Sequence, residues 1–307
     1  MFTVIVTLLL FIQPMTYDED LTITHDDEVI QHINRTQFVE NGLLDTFFNL
    51  DKIQQLIVQV EKEVHEQARN AKIGKDGDIK QEKVGRQLNR EKFTEGLFSY
   101  LYGSGGSNIE VPEITVHPKV DSELLANIRT QEIGSYVTYF NPKNKERSHN
   151  IRLAAEAIDS HVVFPGETFS FNEVVGKRTK EKGYKPAPVI VKGEVTEGIG
   201  GGICQISSTM YNAVDNAGVE ILQRYSHSKR VPYVPEGRDA TVSWYGPDFT
   251  FKNVYNQPLL IRTKVTNGHV SINVYSSDVV DFESRKIPGA TKKLPEEIEL
   301  DSTEEGE

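Results

Sequence analysis

The sequence predicts an α+β protein in two parts. A small helix-hairpin-helix-strand module leads into a mixed domain in which a glycine-rich loop runs into a cysteine-bearing helix. Three observations predict this. Apolar residues recur at helical spacing in residues 53–64, 93–101 and 206–217. Shorter apolar runs between them are bounded by Gly, Asn and Asp, as strands are. The chain has 307 residues, enough for two separate cores.

Residues 2–12 are almost wholly apolar and are followed by Pro14 and the acidic Asp18, Glu19 and Asp20. The run is shorter than the roughly 20 helical residues that cross a bilayer. It reads as a signal-peptide core or a membrane-proximal segment over residues 1–20, offering export or membrane anchoring, although no Lys or Arg precedes it. Residues 21–46 read as a linker. Asp51 then reads as an N-cap for a helix with Ile53, Leu56, Ile57, Val60 and Val64 on one stripe. Asp76 and Gly77 mark a hairpin between residues 71–73 and 79–84. Asn89 caps a second helix bearing Phe93, Leu97 and Leu101, the glycines of residues 103–106 break the chain, and residues 109–117 alternate as a strand. The module is bounded at residues 47–126.

The second domain is bounded at residues 127–276. It opens on Thr138, Tyr139 and Phe140, with a helix carrying Leu153, Ala157 and Ile158. A further helix follows the glycines of residues 198–202, with Ile206, Met210, Ala213, Val214 and Ala217 on its apolar face and Gly218 as its stop. Val219, Ile221 and Leu222 could return as a strand beside it. Phe249, Phe251 and Val254 precede a hairpin whose arms, residues 259–265 and 270–275, meet at Asn267-Gly268. Residues 277–307 read as a disordered acidic tail.

The chemistry concentrates around Cys204, the sole cysteine. At a helix start, unpaired amides and the helix dipole favour the thiolate. Gly201 and Gly202 would let the backbone pass close to a ligand. Gln205 and Ser207 offer hydrogen bonds to a substrate, and the Cys204 and Gln205 amides offer an oxyanion site. A cysteine acyl-transfer site needs a base, and of the eight histidines His227 is the best placed, just before a loop bracketed by Pro232 and Pro235. His149 and His161 read as a polar turn and a helix end. Arg238 and Asp239 form a polar pair at the entrance of a strand, able to pair together, to orient His227 or to grip a substrate carboxylate. Glu167 and Asn172 read as structural. A single cysteine allows no internal disulfide, and a net charge of −11 argues against a nucleic-acid partner. No metal-ligand spacing or phosphate-binding loop is present, so neither metal nor cofactor is expected.

Two resemblances sharpen this reading. VGRQL at residues 84–88 before the second helix, with residues 111–120 after it, resembles a peptidoglycan-binding domain found beside cell-wall transpeptidases. FPGETFSFN at 164–172, GGGICQISST at 200–209, His227 with Ser228, and PYVPEGRDATV at 232–242 resemble, in this order, the VanW family of bacterial cell-surface proteins. Lys229 and Arg230 stand where that family more usually has small or apolar residues. The resemblance implies an extracytoplasmic protein, secreted or at the bacterial cell surface, acting on peptidoglycan stem peptides. It implies an L,D-transpeptidase with Cys204 as nucleophile, His227 as its partner, and Arg238 with Asp239 in the site. The alternative is a non-catalytic wall-binding or scaffold protein whose helix start recognises a stem carboxylate.

Overall fold

The computed structural model describes residues 20–41, 46–103, 106–191, 194–292 and 294, so the apolar segment at residues 2–12 lies outside the described residues. Helices and strands are mixed through the chain, as expected of an α+β protein. The chain divides into two compact units: residues 1–70 with 82–119, and residues 71–81 with 120–307.

The first unit begins with β1 (Leu21–His25), β2 (Glu28–Ile33), β3 (Val39–Asn41), β4 (Thr46–Phe48) and α1 (Leu50–Val64). Residues 21–46 are therefore not a linker. Leu21, Ile23, Ile33 and Phe38 are buried in one core with the α1 stripe Ile53, Leu56, Ile57, Val60 and Val64. β1 pairs with β2 along the chain, but its other neighbour comes from residues 108–110, a partner that no local pattern announces. The α1 cap is Asn49, whose side chain accepts from Lys52 N at 2.9 Å; Asp51 sits in the first turn, where its charge suits the helix dipole.

The hairpin β5 (Lys72–Ile73) and β6 (Ile79–Lys80) forms, but it belongs to the second unit. Ala71 and Ile73 are buried there with Val120, Leu125, Ile128, Val162 and Leu260. The first unit resumes with β7 (Gly85–Leu88), α2 (Arg90–Leu101), β8 (Asn108–Glu110) and β9 (Glu113–Val116). The single strand expected over residues 109–117 is split at Pro112, which has no N–H for a ladder: β8 runs parallel to β1, and β9 pairs with β7.

The second unit continues with α3 (Ser122–Ile128), β10 (Gln131–Tyr139), α4 (Lys145–Ile158), β11 (His161–Val163), β12 (Thr168–Ser170), α5 (Phe171–Val175), β13 (Pro186–Val191), β14 (Glu194–Ile199), α6 (Ile203–Asn216), β15 (Glu220–Gln223), β16 (Thr250–Lys252), β17 (Leu259–Thr266) and β18 (His269–Ser276). An antiparallel sheet of order β10-β18-β17-β11 carries α6 on β10 and β18 and α4 on β17. A second sheet has the order β12-β16-β15, and β13 with β14 forms a separate hairpin. The α4 core face is Ile151, Ala154, Ala155 and Ile158, whereas Ala157 is exposed.

The stretch after β18 is not a free tail as far as residue 290. Val280, Phe282, Ile287 and Ala290 lie against the core, and Tyr136 Oη donates to Pro288 O at 3.0 Å. Arg285 donates to Asp215 Oδ1 at 2.9 Å and to the carbonyls of Gly218 and Val219 at the end of α6. A cation just past the C-terminus of a helix suits its dipole. The chain is tied there by that helix end, which composition alone does not reveal.

Candidate active site

The glycines before α6 are required by the protein's own packing. A Cβ on Gly201 would stand 2.6 Å from the carbonyl oxygens of Ala187 and Pro188, and Gly202 caps α6 with φ +103°. Asn150, fully buried in α4, donates to Gly201 O at 3.0 Å and to Lys185 O at 2.9 Å. Gly201 thus packs on strand backbone and Gly202 on the Arg147 and Ile151 side chains, so both glycines are explained by the protein's own packing.

Cys204 is the second residue of α6 and is half-buried. Its Sγ lies 3.6 Å from Val242 O and 3.8 Å from Thr241 Oγ1. Gln205 N donates to Gly202 O at 3.1 Å, so the Cys204 N–H remains as the first-turn donor for an oxyanion, without Gln205 beside it.

Two substrate contacts expected from the sequence are internal fasteners. Gln205 has no exposed surface; its Oε1 accepts from Arg147 at 2.7 Å, and its Nε2 donates to Thr138 Oγ1 and Tyr139 O, both at 3.0 Å. Ser207 is equally buried, with Oγ 3.1 Å from Cys204 O and 2.5 Å from Ala240 O. Ser208 donates to Cys204 O and accepts from Ala240 N. These hydroxyls lash residues 238–242 onto α6. That segment is a loop, not the start of a strand.

The loop is tied to the stretch that carries the histidine. Thr241 N donates to Tyr225 O at 2.7 Å, and Arg224 donates to the carbonyls of Gly237 and Asp239, so residues 224–227 run beside 237–241. Asp239, 7% exposed, then accepts at one oxygen from His227 N at 2.6 Å and pairs with His227 Nδ1 at 2.7 Å. With Nδ1 engaged, Nε2 is the ring nitrogen left for Cys204.

Arg238 is absent from this group. It pairs with Asp215 at 2.7 Å, donates to Asn212 Oδ1 at 2.7 Å and lies over the Tyr211 ring, which anchors the loop to α6. Its assignment to the site alongside Asp239 is corrected: neighbours in an irregular loop point to different partners. His149 sits within α4 and bonds to Gly183 O, and His161 opens β11 against the Phe169 ring.

The charges reinforce one another. Burial works against the Cys204 thiolate, but the hydrogen bond and charge of His227, with smaller help from Val242 and Thr241, bring the thiol below its ordinary value. Burial likewise opposes the imidazolium, yet Asp239 and the thiolate raise the His227 pKa to about 9. Asp239, opposed by burial and favoured by His227, is held below the usual carboxylate range. The shifts all favour the charged forms, thiolate, imidazolium and carboxylate, an arrangement able to attack a carbonyl and then protonate a leaving amine.

Sequence reasoning missed Tyr233, Thr241 and Arg178. Burial keeps the Tyr233 phenol protonated, within reach of Ser208 and in the field of Cys204. Its signal was the proline bracket around it. Arg178 left no signal beyond a basic residue in a turn. Among the described residues, no cluster of three or more His, Cys, Asp or Glu side chains is placed to hold a metal.

A family model described as "VanW like protein" matches residues 146–275, the stretch that builds this site, and one described as "Putative peptidoglycan binding domain" matches residues 14–110. The chain is 54% identical over 291 residues to "Uncharacterized protein YoaR" of Bacillus subtilis (strain 168), spanning 95% of this chain and 96% of that one. The chain belongs to the VanW family. This VanW-family chain is also 33% identical over 111 residues to "Vancomycin B-type resistance protein VanW" of Enterococcus faecalis (strain ATCC 700802 / V583), which covers 34% of this chain and 40% of that protein. No solved structure matches it. The peptidoglycan-binding match associates the VanW-family chain with the cell wall or cell surface and gives peptidoglycan as a partner. Among the described residues, no helix is long and apolar enough to cross a membrane.

Proposed function

We propose that the protein is a cysteine L,D-transpeptidase acting on peptidoglycan stem peptides, with Cys204 as nucleophile, His227 as acid and base, and Asp239 holding the imidazole. The observation that carries this reading is the doubly bonded Asp239 carboxylate on His227, whose other ring nitrogen is left for the half-buried thiol. An imidazole fixed at one nitrogen by a carboxylate and serving a nucleophile with the other is the recurring apparatus of acyl transfer.

In the first half-reaction the Cys204 sulfur bonds to the carbonyl carbon of a stem-peptide bond. The developing oxyanion lies near the Cys204 N–H at the start of α6. The C–N bond breaks, the departing D-amino acid takes the proton from His227, and a thioester remains. An acceptor amine on a neighbouring stem then gives its proton to His227, bonds to the same carbon and expels the thiolate. Water as acceptor would make the same site a carboxypeptidase.

Incubating the purified protein with stem tetrapeptides and following its intact mass tests this. The expected result is a thioester adduct on Cys204, with cross-linked or trimmed stems, and neither product from Cys204→Ser. Wall binding without adduct or turnover across several stem compositions would instead support the scaffold reading.

A further inference from the structure

Arg178 makes no ion pair among the described residues. It donates to Asn172 Oδ1 through Nη1 at 2.7 Å and lies over the Phe171 ring, but its buried Nη2 has no hydrogen-bond partner among the described residues. The side chain as a whole is only partly buried, which leaves it a way to solvent. A guanidinium taken from water with no anion in hydrogen-bond contact is costly, and burial pulls its pKa below the ordinary value although the charges of Cys204 and Asp248 act the other way. Among the other arginines of this region, Arg147 donates to Gln205, Arg224 to two carbonyls, and Arg238 pairs with Asp215.

Two connections place Arg178 beside the thiol. Its Cβ and Cγ lie 3.2 and 3.4 Å from where a Cβ on Gly200 would stand, so it crosses the loop that opens α6. Its partner Asn172 donates to Ser243 O at 3.0 Å, the residue after Val242, whose carbonyl lies 3.6 Å from Cys204 Sγ. The Cys204 thiolate is also the first of the charges that stabilise the cationic form of Arg178.

We infer that Arg178 receives the terminal carboxylate of the donor stem peptide, an assignment that rests on the transpeptidase reading. A donor that loses its last D-amino acid carries a carboxylate on the residue next to the scissile carbonyl. A guanidinium near the thiol with an unused N–H is suited to accept it. The ligand class is therefore a peptide with a free carboxyl terminus, and a donor lacking that charge is discriminated against. The sequence suggested this task for Arg238, but the fold commits that side chain to Asp215 and Asn212.

The test separates this inference from the reaction itself. Two stem tetrapeptides ending in D-alanine, one with a free carboxylate and one with a carboxamide, are titrated calorimetrically into the Cys204→Ala protein. The carboxylate peptide is expected to bind about tenfold or more tightly than the carboxamide, the value of one charge-assisted hydrogen bond. Arg178→Gln should erase that preference while leaving carboxamide affinity unchanged, and Arg178→Lys should retain part of it. If Arg178→Gln does not fold, Arg178→Lys alone decides, because a preference undiminished in it overturns the assignment. Equal affinity for the two peptides overturns it as well. Carboxylate preference without acylation of the Cys204 protein would end the transpeptidase reading and leave Arg178 as a carboxylate site. Acylation that proceeds equally with the carboxamide donor would end the Arg178 assignment and leave the nucleophile standing.

Discussion

One oxygen of Asp239 serves His227 twice, accepting from its backbone N–H at 2.6 Å and bonding its ring Nδ1 at 2.7 Å. The carboxylate thus fixes both the chain and the imidazole, so the ring's remaining nitrogen is aimed by two constraints rather than one. Asp239 is fixed in turn: its own carbonyl accepts from Arg224, and its neighbour Ala240 is bonded to Ser208.

The first prediction concerns pH. The thiol is held below its ordinary value by His227, and the imidazolium keeps its proton up to about 9. Acylation should therefore rise as the thiol ionises and fall above about pH 9 as His227 loses the proton that the leaving amine needs. Alkylation by iodoacetamide needs no proton donor and should show only the rising limb. An alkylation pKa no lower in the folded protein than in the denatured chain would contradict the thiolate-imidazolium pair.

Replacing Asp239 by Asn removes the charge and keeps the shape. The expected result is a thiol pKa shifted back toward the free value and turnover reduced by about two orders of magnitude or more. Stability should fall by only about 1–3 kcal/mol, since the hydrogen bonds from His227 can partly survive. Turnover near the wild-type level would show that the imidazole is oriented by something else.

Two glycines give a paired test of packing. A methyl group at Gly201 meets two carbonyl oxygens at 2.6 Å, whereas one at Gly237, φ +74°, meets nothing within 4 Å. Gly201→Ala is expected to cost about 3 kcal/mol or more by overpacking, and Gly237→Ala about 1 kcal/mol from backbone strain alone. Thermal melts that rank the pair the other way would place the close approach elsewhere.

Arg285→Ala should lower stability by about 1 kcal/mol through its lost bonds to Asp215, Gly218 and Val219. The alkylation pKa of Cys204 should not move, because Arg285 acts at the opposite end of α6. A shift of that pKa would mean that the helix end and the thiol are coupled.

Most elements whose partners are close in the chain could be read from the sequence. The α1 stripe, the Asn89 cap, the helix stop at Gly218 and the hairpin turn at Asn267-Gly268 each follow from spacing and local turn chemistry. β1 could not be read as a sheet member because β8, one of its partners, lies far along the chain, and residues 277–290 looked solvated because their anchors are carbonyls at the end of α6. At the site, sequence could nominate Cys204 and His227 by type and surroundings, but it left three roles open for Arg238 and Asp239. Gln205 and Ser207 look like ligands on paper because an amide and a hydroxyl carry no mark of who satisfies them. The fold satisfies both internally, and it leaves unsatisfied an arginine that nothing in the pattern distinguished.

The strand order β10-β18-β17-β11 places β18, the last of the described strands, inside the sheet that carries α6. A polypeptide emerging amino end first therefore cannot complete the support for its own reactive helix until residue 276 has appeared, and the ties from Arg285 come later still. Such long-range closure slows assembly. It also orders events in time: Cys204 emerges well before β17 and β18, and the surroundings of its helix are completed only when those strands arrive.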